Sequence, residues 1–149
     1  MRTRKINPGP FCFETSLSVQ VGDINYGNHV GNERYLLFAQ ETRIRFLQSI
    51  GCTEAKFGEF GLVLTEAHVE YFHELFHGDA ITIKLSVSAP SRASFDCFYE
   101  IIAMRPTGMV TAAMIKTAMV CFDYSERKVR SIPEHLKQLL LQCSMGSMA

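Results

Sequence analysis

The sequence predicts an α+β fold in which a curved antiparallel β-sheet wraps around one long central α-helix. One long segment carries apolar residues at helical spacing, and most of the following chain alternates apolar and polar residues as strands do. The predicted order is one strand, the long helix, four strands and a short terminal helix. A single sheet around a single helix is the α+β arrangement that fits this order.

The long helix is predicted from about Asn32 to Ile50. Gly51 follows directly and is a natural end for it, because glycine readily adopts the left-handed conformation that closes helices. An apolar stripe this long is typical of a helix embraced by a sheet. The stripe consists of Tyr35, Phe38, Ala39, Thr42, Phe46 and Ile50.

Five segments are predicted to be strands from their alternating pattern. They are Phe11–Val21, Gly61–Tyr71, Ala80–Ala89, Ser94–Met104 and Met109–Asp123. In the third of them, alternate residues are expected to face inward (Ile81, Ile83, Leu85, Val87) and outward (Thr82, Lys84, Ser86).

Proline and glycine residues predict a turn and a helix start in the second half of the chain. The turn Arg105–Gly108 is expected to join the two longest strands as antiparallel neighbours. Pro133 is expected to begin a short amphipathic helix, since proline suits the first turn of a helix.

The composition indicates one neutral domain. The chain has 149 residues, with 15 basic and 15 acidic side chains, and 47% of it is hydrophobic. This length predicts one domain over 1–149, with an irregular lead-in over 1–10 and the tail of the terminal helix over 138–149. A net charge of zero disfavours nucleic acid or an acidic membrane surface as partner.

Cysteine usage points to a reducing compartment. The five cysteines are an odd number without CxxC spacing, and most lie in apolar runs, as buried free thiols do. The basic N-terminus lacks the apolar core of a signal peptide, and no run of about 18 apolar residues exists. A cytoplasmic location is therefore expected.

The most informative segment runs from Asp23 to Tyr35, where polar groups crowd a glycine-rich loop that opens into the long helix. The first N–H groups of a helix lack partners and carry a partial positive charge, which suits an oxyanion. His29 can transfer protons near neutral pH. Alternatively the loop is a polar turn in which Asp23 and Asn25 bind backbone N–H groups and Asn32 caps the helix.

This segment resembles the Asp-x-Asp-x-x-x-His-Val-x-Asn-x-x-Tyr signature of hotdog-fold acyl-CoA thioesterases, in the 4-hydroxybenzoyl-CoA thioesterase-like group. The resemblance implies a hotdog fold, and hydrolysis of an acyl-CoA thioester to free acid and coenzyme A by activated water, without a metal or redox cofactor. It covers roughly residues 15–137 and continues, in order, through Leu36–Gly51, Val69–Tyr71, His77–Asp79, Ser91–Ser94 and Val120–Asp123, followed by Ile132-Pro133.

The resemblance also implies roles for individual residues. In the best-known branch the second Asp of the signature is the nucleophile or general base, but here that position is Asn25, whose amide does not titrate. Water activation would then fall to His29, with Asp23 as an orienting partner and Asn25 holding the water. The backbone N–H near Asn32 would polarise the thioester carbonyl, and Tyr35 would line the acyl pocket or the core.

Three further residues are candidates for substrate binding. Glu66 alternates with His68 and Glu70 on one strand face, which is either a carboxylate set facing the cleft or a solvent-facing side. Arg92 and Ser94 match the stretch where relatives meet coenzyme A, and a guanidinium suits a phosphate because it donates two parallel hydrogen bonds. The alternative is a solvated arginine at a strand end.

The segment His73–His77 fits the H-E-x-x-H zinc pattern literally. That chemistry needs both histidines on one face of a continuous helix. Gly78 and Asp79 follow at once, and a strand pattern precedes, so we expect a turn between strands with exposed histidines and no zinc site.

The resemblance further implies a homodimer or homotetramer, because hotdog sites form where two subunits meet and long sheet edges favour pairing. The acyl-CoA substrate is the expected small-molecule partner, with its acyl group left open. The alternative function is a non-hydrolytic acyl-CoA or acyl-carrier binding protein, which Asn25 at the usual Asp position would suit. A hotdog dehydratase is a third possibility, but the His-Phe-Pro-Gly type motif of one such branch is missing.

Overall fold

The structure is a computed structural model and describes residues 4–147. It is a six-stranded antiparallel sheet in the order β1-β3-β4-β5-β2, with β6 paired to β5, around helix α1. The elements in chain order are β1 (Phe13–Ser18), a 3-10 turn (Val21–Asp23), α1 (Arg34–Ser49), β2 (Gly61–Tyr71), β3 (Ala80–Val87), β4 (Ser94–Arg105), β5 (Gly108–Asp123), β6 (Lys128–Val129) and α2 (Glu134–Ser144).

The predicted helices and the five predicted strands are present, with small changes at their ends. The strand β2 has the predicted bounds, whereas β1 is shorter because Val19 leaves it and donates its N–H to the carbonyl of Asp79 at 2.9 Å. Helix α1 begins at Arg34, with Glu33 and not Asn32 at the cap position. The 3-10 turn and the two-residue β6 were not predicted, since such short elements leave no periodic signal.

Near its ends, the described chain has an irregular N-terminal segment and a C-terminal helix. Residues 4–10 carry no helix or strand, and α2 ends at Ser144, so the expected helical tail over 138–149 stops there. Residues 1–3 of the lead-in and residues 148–149 of the tail lie outside the described residues. Within residues 4–147, neither helix is long and apolar enough to span a bilayer.

The core lies between α1 and the inward faces of the sheet. The predicted stripe of α1 is buried except for Ile50, which is half-buried at the C-terminal cap. The predicted inward residues of β3 are buried, but Ser86, predicted to face outward, is buried as well, where α2 packs against β3. The inward residues of β4 and β5 complete the core: Phe95, Cys97, Tyr99, Ile101, Ile115, Met119 and Cys121.

A buried ionic network joins α1 to two strands and to the following loop. The guanidinium of Arg43 is almost fully buried and donates to Tyr99 Oη at 3.0 Å and to the Glu54 carboxylate at 2.5 Å. Tyr99 Oη is in turn 2.7 Å from Thr117 Oγ1. Burial raises the pKa of Tyr99, so its hydroxyl keeps its proton. The network fixes α1 against β4 and β5.

The strand β2 forms an open edge of the sheet. Its central residues 64–68 are exposed on both faces of the sheet. A β-bulge between Leu64 and Glu66 shifts the register against β5. From Glu66 onward, Ala67 and Val69 pair with the inward-facing residues of β5, so Glu66 and His68 point to the outer face.

We expect Arg43→Met to lower the free energy of unfolding by about 2–3 kcal/mol, because it leaves Glu54 and Tyr99 without their partner. Urea unfolding at pH 7 measures this change. Arg34→Met on the same helix is the matched control, because Arg34 makes only a loose 3.9 Å pair with Glu33 at the surface. It should cost less than about 0.5 kcal/mol, and equal losses in the two variants would contradict the importance of the network.

Candidate active site

A cavity of about 300 Å³ opens where the loop before α1 meets the end of β2. Its wall combines aromatic rings with imidazole, amide and carboxylate groups, which suits an apolar group held beside hydrogen-bonding groups. The lining residues are Asn25, His29, Val30, Asn32, Tyr35, Tyr71, Phe72, His73 and Glu74.

The loop that carries Asn25 is closed by its own hydrogen bonds. Asn25 Oδ1 accepts from the N–H of Gly27 at 2.8 Å, and the N–H of Asn25 donates to the carbonyl of His29 at 2.9 Å. Asn28 has φ +64°, a left-handed conformation that asparagine tolerates. Among the described residues the side-chain NH₂ of Asn25 has no acceptor, so it can donate to a ligand in the cavity.

The imidazole of His29 is half-buried and oriented by the backbone. Its Nδ1 lies 3.1 Å from the carbonyl of Val30. Because a carbonyl can only accept, the ring carries a proton on Nδ1, and Nε2 of the neutral ring can take up a proton. Gly27 is the residue that leaves room for Nε2, because a Cβ there would lie 3.0 Å from it.

The backbone just before α1 leaves one N–H group open at a residue that lines the cavity. The N–H of Gly31 donates to the carbonyl of Asp23, and the N–H of Arg34 donates to the carbonyl of Gly31, both at 3.0 Å. In the part of the chain that the structure describes, the N–H of Asn32 between them has no acceptor. An open N–H at a helix start can bind a developing oxyanion.

Two tyrosines form an aromatic wall of the cavity. The rings of Tyr35 and Tyr71 meet edge to face, with centroids 5.0 Å apart and an interplanar angle of 89°. Burial, followed by the neighbouring Tyr71, raises the pKa of Tyr35 to about 12. Both rings are therefore neutral surfaces at physiological pH.

The segment after β2 supplies lining residues that the sequence analysis missed. The N–H of Val30 donates to the carbonyl of Leu75 at 2.8 Å, which seats this segment against the loop. Phe72, His73 and Glu74 thereby reach the cavity, and Glu74 is the carboxylate among the described lining residues. From the zinc pattern, the sequence analysis predicted only a turn for this segment. The segment directly follows the family motif Val69–Tyr71, and that position is the signal that could have placed it at the site.

Four of the eight predicted site residues line the cavity: Asn25, His29, Asn32 and Tyr35. Asp23 does not meet His29 within the described residues; its carboxylate accepts from the N–H of Gln20 at 2.8 Å and closes the 3-10 turn. In the alternative interpretation of this loop as a polar turn, Asp23 binds a backbone N–H group, as it does here.

Three other predicted residues lie outside the lining. Glu66 is exposed on the outer face of the sheet. Arg92 is exposed and donates to Ser131 Oγ at 2.9 Å. Ser94 is the first residue of β4, and its Oγ is 2.8 Å from Ser91 Oγ.

Comparison with protein families decides the membership of this chain. Residues 19–140 match the model of the thioesterase-like superfamily. The chain belongs to the thioesterase-like superfamily. The matched residues include the loop and the helix start that line the cavity.

Named relatives of this superfamily member act on a coenzyme A thioester. A 1,4-dihydroxy-2-naphthoyl-CoA hydrolase from Microcystis aeruginosa is 34% identical over 79 residues, which are 53% of this chain and 54% of the relative. The chain thus spans about half the length of the curated relatives it matches.

Solved structures of superfamily members share the fold. A 1,4-dihydroxy-2-naphthoyl-CoA thioesterase from Synechocystis has a TM-score of 0.75 at 24% identity, covering 87% of this chain and 94% of that one. A 4-hydroxybenzoyl-CoA thioesterase complexed with 4-hydroxybenzoyl-CoA has a TM-score of 0.76 at 14% identity, covering 85% and 96%. These likenesses confirm the predicted hotdog fold.

We expect Gly27→Ala to displace the His29 ring, because the added Cβ would press on Nε2 and on Asn25 Oδ1 at 3.0 and 3.3 Å. The ring resonances of His29 in a ¹H–¹⁵N NMR spectrum report this displacement. Gly22→Ala in the same loop is the control, since its Cβ would meet nothing within 4 Å. Unchanged His29 resonances in Gly27→Ala would contradict the described packing.

Proposed function

We propose that this protein hydrolyses an acyl-CoA thioester to a free carboxylic acid and coenzyme A in the cavity at the start of α1. One observation carries the proposal: His29, with Nδ1 bound to a carbonyl and Nε2 open, lines the same cavity as the open N–H of Asn32. A proton acceptor and an oxyanion donor are the two groups that hydrolysis by water requires.

The proposed reaction uses the groups of this cavity in sequence. His29 Nε2 takes a proton from a water held by the amide of Asn25, and the water oxygen attacks the thioester carbonyl carbon. The oxyanion accepts a hydrogen bond from the N–H of Asn32. Collapse of the intermediate breaks the C–S bond, and the leaving thiolate takes the proton back from His29. No step requires a metal ion or a redox cofactor.

We propose that Glu74 takes the place predicted for Asp23. The Asp23 carboxylate is engaged by Gln20, whereas Glu74 lines the cavity and its charge reaches Tyr35. A nearby negative charge favours the imidazolium that forms when His29 accepts a proton.

The wall of the cavity supports a flat aromatic acyl group as the substrate. Tyr35, Tyr71 and Phe72 supply rings, and His73 and Glu74 supply groups that can bind a ring hydroxyl. A hydroxylated aromatic acyl-CoA, such as the 1,4-dihydroxy-2-naphthoyl-CoA of the named relatives, is the proposed substrate class. Arg92 and Ser94 remain proposed contacts of the coenzyme A phosphates and pantetheine, since Arg92 is exposed and pairs with no carboxylate of the described residues.

The open edge of β2 supports a homodimer. An 11-residue edge strand whose central residues are exposed on both faces offers unpaired backbone groups and side chains to a second strand. We propose that two copies pair through this edge, which runs to the cavity at Tyr71. A tetramer of such dimers is the larger predicted assembly.

The five cysteines support a reducing compartment. All five are buried and form no disulfide within the described residues, and a buried thiol acts as a small apolar group. A cytosolic location therefore remains our proposal.

We expect thiol release from a panel of acyl-CoAs, with aromatic members turned over faster than aliphatic ones. His29→Gln should lower kcat/KM by about 10²–10⁴-fold, the usual contribution of a general base, and Glu74→Gln by about tenfold. His77→Gln is the control, because His77 is exposed and lies outside the lining. Full turnover in His29→Gln would contradict the proposed mechanism. Binding without turnover in wild type, with turnover gained in Asn25→Asp, would instead identify an acyl-CoA binding protein.

We expect Leu64→Glu to shift the protein toward the monomer mass in sedimentation velocity, because it places a charge in the middle of the β2 edge. Leu141→Glu is the matched control, since Leu64 and Leu141 are 41% and 39% exposed and Leu141 lies on α2. A monomeric wild type, or a Leu64→Glu variant that assembles as wild type does, would contradict pairing through this edge.

A further inference from the structure

We propose that Tyr71 is a positioning residue of this site, whose hydroxyl fixes the peptide next to the oxyanion donor at the start of α1. The inference rests on the proposed function. The ring of Tyr71 belongs to the cavity wall, whereas its hydroxyl is bound to the backbone carbonyl of Asn32 and acts through that backbone.

The contact itself is a direct hydrogen bond between distant parts of the chain. Tyr71, the last residue of β2, donates its hydroxyl to the carbonyl of Asn32 at 2.8 Å. Burial raises the pKa of Tyr71, and the charge of Glu33 adds to the rise. The hydroxyl therefore keeps its proton and remains a donor across the physiological pH range.

This bond completes the fixation of the backbone around Asn32. The carbonyl of Gly31 is held by the N–H of Arg34, and the carbonyl of Asn32 is held by Tyr71. Since each peptide unit is planar, a fixed carbonyl also fixes the direction of the N–H in the same unit. The N–H groups of Asn32 and Glu33 belong to these two units, and within the described residues neither has an acceptor.

Such an arrangement is what a preorganised oxyanion site needs. An N–H group stabilises a developing oxyanion most when it is already aimed and does not have to reorient during the reaction. Without the Tyr71 hydroxyl, the carbonyl of Asn32 loses its partner, and the N–H of Glu33 in the same peptide loses its fixed direction. The neighbouring N–H of Asn32 is then held from one side alone, through the bond between Arg34 and the carbonyl of Gly31. The expected loss lies in the chemical step and not in substrate binding.

The ring of Tyr71 is held independently of its hydroxyl. It packs edge to face on Tyr35, which is only 3% exposed and lies in the first turn of α1. Tyr71→Phe therefore removes one oxygen atom and keeps the aromatic wall of the cavity.

The chain provides a matched control for this single-atom change. Tyr124 also donates its hydroxyl to a backbone carbonyl, that of Leu62, at 2.7 Å. Leu62 lies near the opposite end of β2, and neither residue lines the cavity. Tyr124→Phe thus removes the same kind of hydrogen bond from the same strand, away from the site.

The kinetic test compares wild type, Tyr71→Phe and Tyr124→Phe on the best acyl-CoA of the panel. We expect both variants to lower Tm by a similar few degrees. Tyr71→Phe alone should lower kcat, by about tenfold, with KM changed less than about twofold. A kcat of Tyr71→Phe equal to that of Tyr124→Phe, or a loss confined to KM, would overturn the proposal.

A second measurement does not depend on turnover. The backbone ¹⁵N order parameter of Glu33, whose N–H shares a peptide with the carbonyl of Asn32, should fall below the rigid level of about 0.85 in Tyr71→Phe and stay at it in wild type and Tyr124→Phe. Order parameters unchanged in Tyr71→Phe would overturn the positioning role. A wild type that hydrolyses no acyl-CoA would contradict the proposed function separately, and the order parameters would still decide the role of Tyr71.

Discussion

Burial of helix α1 is the constraint on which the rest of the structure depends. Its stripe from Tyr35 to Leu47 is buried, and β4 and β5, with 12 and 16 residues, are long enough to curl along it. Bulges in β2 and at Ala112 of β5, opposite Ile101 and Ile102 of β4, add the curvature that wrapping needs. Once the helix lies against the sheet, its first turn meets the end of β2. The cavity forms at that meeting point.

The charged network inside the core gives this packing a defined position. An apolar stripe alone lets a helix slide or rotate along an apolar surface at little cost. Arg43 removes that freedom, because its guanidinium has to reach both Tyr99 and Glu54. A buried charge penalises every arrangement that leaves it unpaired. The placement of the helix start beside Tyr71 thus depends in part on a contact two turns further along α1.

The sequence predicts well those elements whose apolar residues repeat at a regular helical or strand spacing. Helix α1 and strand β2 carry their pattern in consecutive residues, so their positions could be read directly. Asn25, His29, Asn32 and Tyr35 gather in the cavity because they lie within one short loop and the helix that follows. Element ends such as that of β1 are set by distant bonds, here between Val19 and Asp79, which no local pattern contains.

The remaining site residues required information from the folded chain. Glu74 reaches the cavity through the bond between Val30 and Leu75, and Tyr71 meets Asn32 across 39 residues of sequence. Glu66 shows the reverse case. Its alternation with His68 was correctly seen, but the bulge after Leu64 decides which face the alternation presents, and a single inserted residue reverses the faces of a strand.

The position of Tyr71 links the open edge of the sheet to the start of α1. The edge strand β2, which we propose to pair with a second copy, ends at Tyr71, and the Tyr71 hydroxyl holds the start of α1. A change in the mobility of β2 therefore also changes the mobility of the start of α1, because Tyr71 connects the two. In a protein that assembles through this edge, dilution and catalytic competence become linked, so that the activity per molecule varies with the concentration of the protein itself.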